Sequence, residues 1–95
     1  MYDFQRNLAR NIAEGLIKDF MAKHNLENLA KSQKTYMFDY NGYRATLNCQ
    51  MWCFAVNGRE AYGIRGESVI PRIKSDLEGI ENGTLEKNKA DIFYV

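Results

Sequence analysis

The sequence predicts an α+β fold. A long N-terminal helix and a second helix pack on one face of a three-stranded antiparallel sheet, and a short C-terminal strand or tail follows. Three observations predict it. Apolar residues recur at helical spacing from Phe4 to Met21, two Asn-Gly dipeptides each sit between runs of β-formers, and helical spacing returns from Ile70 to Ile80. The chain has 95 residues, which suits one domain over 1–95 and leaves no room for a second.

The first helix rests on Phe4, Leu8, Ile12, Leu16 and Phe20, which recur every four residues, with Ala9, Ala13, Ile17 and Met21 filling the adjacent row. This reads as one wide inward stripe, with Gln5, Arg6, Arg10, Glu14, Lys18 and Asp19 on the opposite face. Gly15 weakens the helix and reads as a close approach to the sheet. The helix is expected to end at His24-Asn25, since asparagine tolerates the left-handed stop, and Leu26 to Ala30 to add a short helical turn.

The strands come from TYMFDYNGYRATLNCQMWCFAVNGREAYGIRG. Asn-Gly suits the two-residue type I′ turn, in which both central residues need positive φ. At Asn41-Gly42 such a turn sets Tyr40 across from Tyr43, Asp39 from Arg44 and Phe38 from Ala45, so an opposite-charge pair falls in register. At Asn57-Gly58 it sets Val56 across from Arg59, Phe54 from Ala61 and Trp52 from Gly63.

Strand alternation then separates two faces. Tyr43, Ala45, Leu47, Cys49, Met51, Cys53 and Ala55 form the core face, joined by Tyr36, Phe38, Tyr40, Tyr62 and Ile64. The other face carries Arg44, Thr46, Asn48, Gln50, Trp52, Phe54 and Val56, with Arg59, Ala61, Gly63 and Arg65. A strand from 43 to 56 is long for this domain, so a bend or bulge is expected near Asn48 to Gln50. A bulge there would exchange the faces of everything after it.

For the second helix, Ser68 is the expected cap and Pro71 fits the first turn. Ile70, Ile73, Leu77 and Ile80 point inward, and Asn82-Gly83 ends it. Thr84 to Ala90 read as loop, and DIFYV, Asp91 to Val95, as a terminal strand or docking tail.

Composition narrows the function. The chain is 45% hydrophobic and 26% charged, which is a globular and not a disordered balance. Its formal net charge of +1 gives no global polyanion signal, so any anion site must come from local clustering. No apolar run approaches the roughly 20 residues that span a bilayer, and no apolar signal core opens the chain. A soluble, cytoplasmic protein without a membrane partner is the expectation. Cys49 and Cys53 read as reduced, buried residues, kept from bridging by the length of strand between them.

Catalytic signatures are missing. His24 has no evident partner for a triad or a metal site, and GIRG lacks the spacing of a phosphate loop. Asp39 and Glu60 point to opposite faces, and Ser32, Ser68 and Ser75 have no obvious base. No catalytic residue, metal or cofactor is therefore assigned, and the chain is read as a non-enzyme.

What remains is the second sheet face. Trp52 and Phe54, framed by Arg44, Arg59 and Arg65 with Gln50 beside them, form an aromatic-arginine patch that both helices leave uncovered. Such patches mark interaction sites, and tryptophan and arginine dominate interface hot spots. The reading is a small binding protein that acts stoichiometrically as an inhibitor or adaptor of a protein partner, in the style of phage or mobile-element accessory proteins. The alternative is a nucleotide or nucleic-acid module that stacks bases on the aromatics and holds phosphate with the arginines. The C-terminal tail or a homodimer mate covering Trp52 is the third possibility.

VNGREAYGIRGES resembles the third strand of the double-stranded RNA-binding domain and its approach to the last helix, and the order helix–three strands–helix is similar to that family's. The resemblance implies a shared topology. That family opens its last helix with clustered lysines that grip phosphate. Here Val69-Ile70-Pro71 stand in that place, followed by Arg72 and Lys74.

Overall fold

The computed structural model describes residues 2–57 and 59–86. They form α1 (Tyr2–Lys23), β1 (Thr35–Tyr40), β2 (Tyr43–Asn48), β3 (Cys53–Val56), β4 (Tyr62–Gly63) and α2 (Ile70–Asn82), with a single 3₁₀ turn at Glu67–Val69 leading into α2. The strands run antiparallel in the order β1-β2-β3-β4. The fold is α+β as the sequence predicts, with four strands and not three. The terminal run Asp91 to Val95 lies outside the described residues.

The first hairpin forms as expected. Asn41 and Gly42 take positive φ of 55° and 85°, and Asp39 pairs with Arg44 in register. The turn also reaches α2, because the Asn41 side-chain amide donates to the carbonyl of Ile80 at 3.1 Å. It thereby shares that carbonyl with the Gly83 N–H, which donates to it at 3.3 Å, and ties the turn to the end of the helix. Gly83 then closes α2 in the left-handed conformation, at φ 73°.

The stretch from 43 to 56 is interrupted where a bend is expected, but by a full turn and not a bulge. It breaks at Cys49–Trp52 into β2 and β3, which fold back on each other with Leu47 opposite Phe54 and Ala45 opposite Val56. Asn48 causes the break. Its side-chain oxygen accepts the N–H groups of Gln50 and Met51, both at 2.9 Å, so the backbone bends where a ladder would continue. The turn shifts the strand phase by one residue, so Phe54 and Val56 fall into the core and Cys53 and Ala55 onto the outer face. The β3–β4 register shifts too. Cys53 pairs with Gly63 and Phe54 with Tyr62, one residue away from a two-residue turn at Asn57-Gly58.

The core lies between the sheet and the two helices, built on Phe38, Leu47, Phe54, Ile64, Ile17, Ile73 and Ile80. On α1 the buried row is Ala9, Ala13, Ile17, Phe20 and Met21. The wider stripe is not all inward: Phe4, Leu8 and Ile12 are 72%, 39% and 37% exposed. Gly15 does not touch the sheet, since a Cβ there would meet nothing within 4 Å.

The α1 stop is as expected. Asn25 is left-handed at φ 53°, and the Leu26 N–H closes on the Met21 carbonyl at 2.8 Å. Leu26 to Ala30 form no helical turn. They run beside β1, where the Leu29 N–H donates to the Met37 carbonyl and the Asn28 side chain bonds Thr35 and Met37. Ser68 makes no side-chain cap at α2, which starts through the 3₁₀ turn instead.

Candidate functional site

The sequence places Trp52, Phe54, Gln50, Arg44, Arg59 and Arg65 on one face, and the structure separates them. Phe54 is completely buried and packs edge-on against Tyr62 at 5.8 Å between ring centroids. Its apparent exposure came from the continuous-strand phase that the Asn48 turn breaks. Arg44 does lie on the outer face, but its Nε and Nη2 donate to the two Asp39 carboxylate oxygens, at 2.6 and 2.8 Å. That pairing holds the Asp39 carboxyl below its ordinary range.

Arg59 turns toward α2 and donates to Asp76 at 3.3 Å. Asp76 is the buried acid of the core, and it also accepts the Tyr62 hydroxyl at 2.7 Å. Burial and this acceptor push the Tyr62 phenol far above its ordinary value, and the Arg72 guanidinium stacks 3.8 Å above the same ring. Arg59 is therefore part of a structural network between β4 and α2. The exposed Gln50 stands in the Cys49–Trp52 turn.

Trp52 and Arg65 do converge. They line a cleft of about 510 Å³ together with Arg6, Arg10, Met51, Cys53, Gly63 and Ile64. The cleft lies between α1 and the β2–β3 turn, not on the open sheet face. The Arg10 guanidinium carbon sits 5.2 Å from the centre of the Trp52 ring, within cation–π range. Met51 is 77% exposed beside it.

Trp52 holds the left-handed conformation at φ 51°, a state filled elsewhere by Asn25 and Asn41. For a residue with a Cβ this costs about 1–2 kcal/mol, so the backbone alone would favour glycine at this position. Strain of this kind clusters at sites of function.

Arg6 and Arg10 were assigned from sequence to the solvent face of α1. The signal that places them correctly is the small-residue row Ala9 and Ala13. A helix packed on alanines approaches its neighbours closely, and α1 comes closest to α2 and the Glu67–Val69 turn, so residues flanking that row reach Trp52 and Arg65. No protein-family model matches the chain, and neither a curated protein nor a solved structure does.

Several other titratable groups are engaged in structural pairs. His24 packs on Phe20 and Tyr40 and meets Glu81 at 2.9 Å. Glu81 also accepts from Lys23 at 2.7 Å, and the two hydrogen bonds hold its carboxyl below its ordinary value. The Tyr36 hydroxyl donates to Glu14 at 2.8 Å, which pushes its phenol up to about 12. Cys49 and Cys53 are free and half-buried, and stand either side of the turn residues Gln50 to Trp52. The length of a continuous strand is thus not what keeps them apart. Among the described residues no group of three or more His, Cys, Asp or Glu could hold a metal ion, and no helix is long and apolar enough to cross a membrane.

A second surface stands out on the far side of α1 from the cleft. Phe4, Leu8 and Ile12 form an exposed apolar ridge, which continues into Leu16 and Phe20 in the groove between α1 and α2. Asp19, Lys23, Lys74, Glu78 and Glu81 edge that groove with both signs of charge.

Proposed function

We propose that the chain works by binding and not by catalysis, as a stoichiometric inhibitor or adaptor of a protein partner, and that the α1 ridge is its contact surface. The observation that carries this reading is the exposure of Phe4, Leu8 and Ile12 along one helix face. A protein that needed those side chains only for its own fold would bury them, and contiguous exposed apolar surface marks an interaction site. Gly15 supports it. It stands among these side chains with open space above it, so among the described residues its cost to the helix serves no contact, and it lets a partner backbone come close. The engagement of His24, Asp76, Glu81 and Glu14 in structural pairs supports a non-catalytic reading.

The proposed occupant is a different protein, and a second copy is the alternative that the test distinguishes. A partner that follows the ridge into the α1–α2 groove meets further apolar surface and a rim of alternating charge that fixes its orientation.

The test is a pair of substitutions, Leu8→Asp with Ile12→Asp, set beside Arg44→Gln on the open sheet face. The ridge variant is expected to keep the wild-type unfolding midpoint and to lose a partner that co-purifies at equal stoichiometry, while Arg44→Gln retains it. A partner retained by the ridge variant removes the ridge from the interface. Concentration-dependent self-association by light scattering, abolished by Leu8→Asp, would make the occupant a second copy.

A further inference from the structure

The Trp52 cleft is on the other side of α1 from that ridge and asks for a different ligand. Three guanidinium groups line it, from Arg6, Arg10 and Arg65, and among the described residues no carboxylate does. Among the described residues, neither Arg10 nor Arg65 forms an ion pair. The other arginines with nearby acids behave differently: Arg44 holds Asp39 and Arg59 holds Asp76. Arg10 carries a second mark. Its Nε is sealed from solvent and has no acceptor among the described residues. A buried donor without an acceptor is costly, and a cation cannot discharge its charge by losing a proton when it is a guanidinium.

We infer that this cleft binds a phosphate-bearing ligand of nucleotide size. A phosphoryl group suits it better than a carboxylate for two reasons. The two guanidinium groups of Arg10 and Arg65, without an ion pair among the described residues, call for more than one negative charge to balance them, and a phosphoryl chain supplies these within a short span. The planar guanidinium fork also matches two phosphate oxygens at once. The cleft volume of about 510 Å³ exceeds what a lone phosphate fills and lies within the range of small-ligand sites. Trp52 supplies an aromatic wall, held in place by its left-handed backbone. The chemistry is shared by a free nucleotide and by a single strand of nucleic acid, which also presents phosphate beside a planar base.

The site carries its own reporter, because Trp52 is the only tryptophan in the chain and lies against Arg10. Its fluorescence is followed while pyrophosphate, a nucleoside triphosphate, a short single-stranded oligothymidylate and a glutamate peptide of equal charge are added at low salt. The phosphate-bearing ligands are expected to perturb the emission saturably and to weaken steeply with added salt. Arg65→Gln and Arg10→Gln should each weaken binding by about tenfold or more, and Lys18→Gln, on the exposed side of α1, should not. Arg65 is exposed, so Arg65→Gln tests the site even if Arg10→Gln fails to fold. A triphosphate that outcompetes the oligonucleotide assigns the site to a free nucleotide, and the reverse assigns it to a strand. No response to any phosphate ligand, an equal response to the glutamate peptide, or binding indifferent to both arginine substitutions overturns the inference.

Discussion

The two halves of the sheet follow different rules. The β1–β2 hairpin is specified by its own dipeptide. Asn41-Gly42 sets the turn type, the turn sets the register, and the register puts Asp39 against Arg44. The half from Cys49 to Gly66 contains an Asn-Gly dipeptide as well, yet its register is set by contacts that no dipeptide carries. Asn48 folds the chain back one strand early, and Phe54 goes where the core needs it. The contrast teaches that a turn motif fixes a hairpin only when the strands on both sides are already in phase with the core.

Phe54→Ala breaks that contrast most sharply. A fully buried phenylalanine truncated to alanine should cost about 3–5 kcal/mol in denaturant unfolding. A loss within about 0.5 kcal/mol, as at a surface position, would restore the continuous strand and the aromatic outer face. Next comes Asp76→Ala, which strips the Tyr62 hydroxyl of its acceptor and Arg59 of its counter-charge. It is expected to cost about 1–3 kcal/mol and to release Tyr62 so that its phenol ionises at lower pH, visible in an ultraviolet titration. An unchanged titration would mean that Asp76 does not hold Tyr62.

Asn48→Ala and Asn41→Ala compare the two turns directly. Each removes a turn-forming side chain, and each is expected to cost about 1–2 kcal/mol. Asn41→Gly should recover the backbone share only, because its side chain also serves α2, whereas Asn48→Gly should recover little. Equal recovery at both positions would erase the distinction. The smallest effect belongs to the exposed Asp39–Arg44 pair. Arg44→Gln is expected to leave the thermal midpoint at neutral pH unchanged within error, since solvent screens such pairs. The folded-state pKa of Asp39 is lowered, so whatever the pair contributes is present above the ordinary carboxylate range and fades as pH falls through the lowered value. A clear drop in the midpoint at neutral pH would show that register in the first hairpin depends on that pair.

Much of the fold was legible. The α1 stop at Asn25, the first hairpin, the inward row of α2 and its end at Gly83 all rest on local chemistry, and the structure has them where the sequence puts them. The candidate site was half legible. Trp52 stayed in it because it lies in the break itself, and Arg65 because it follows the end of β4, so neither depends on the phase of a long strand. Phe54 was lost because one inserted turn reverses everything downstream. Arg6 and Arg10 were missed because a wide apolar stripe does not say which of its rows faces inward. That choice is made by the alanines, whose small size lets α1 approach α2 and the Glu67–Val69 turn closely.

The segment that runs beside β1 has a consequence for the protein in a crowded solution. A sheet is vulnerable at its two margins, where unpaired N–H and C=O groups can recruit a strand from a neighbour. Here one margin is β1, and part of its hydrogen-bonding capacity is taken up by Asn28 and Leu29. The other is β4, which spans only Tyr62–Gly63. A chain with strands as apolar as CFAV can thus stay dispersed, because one border of its sheet is partly occupied and the other is too short to template growth.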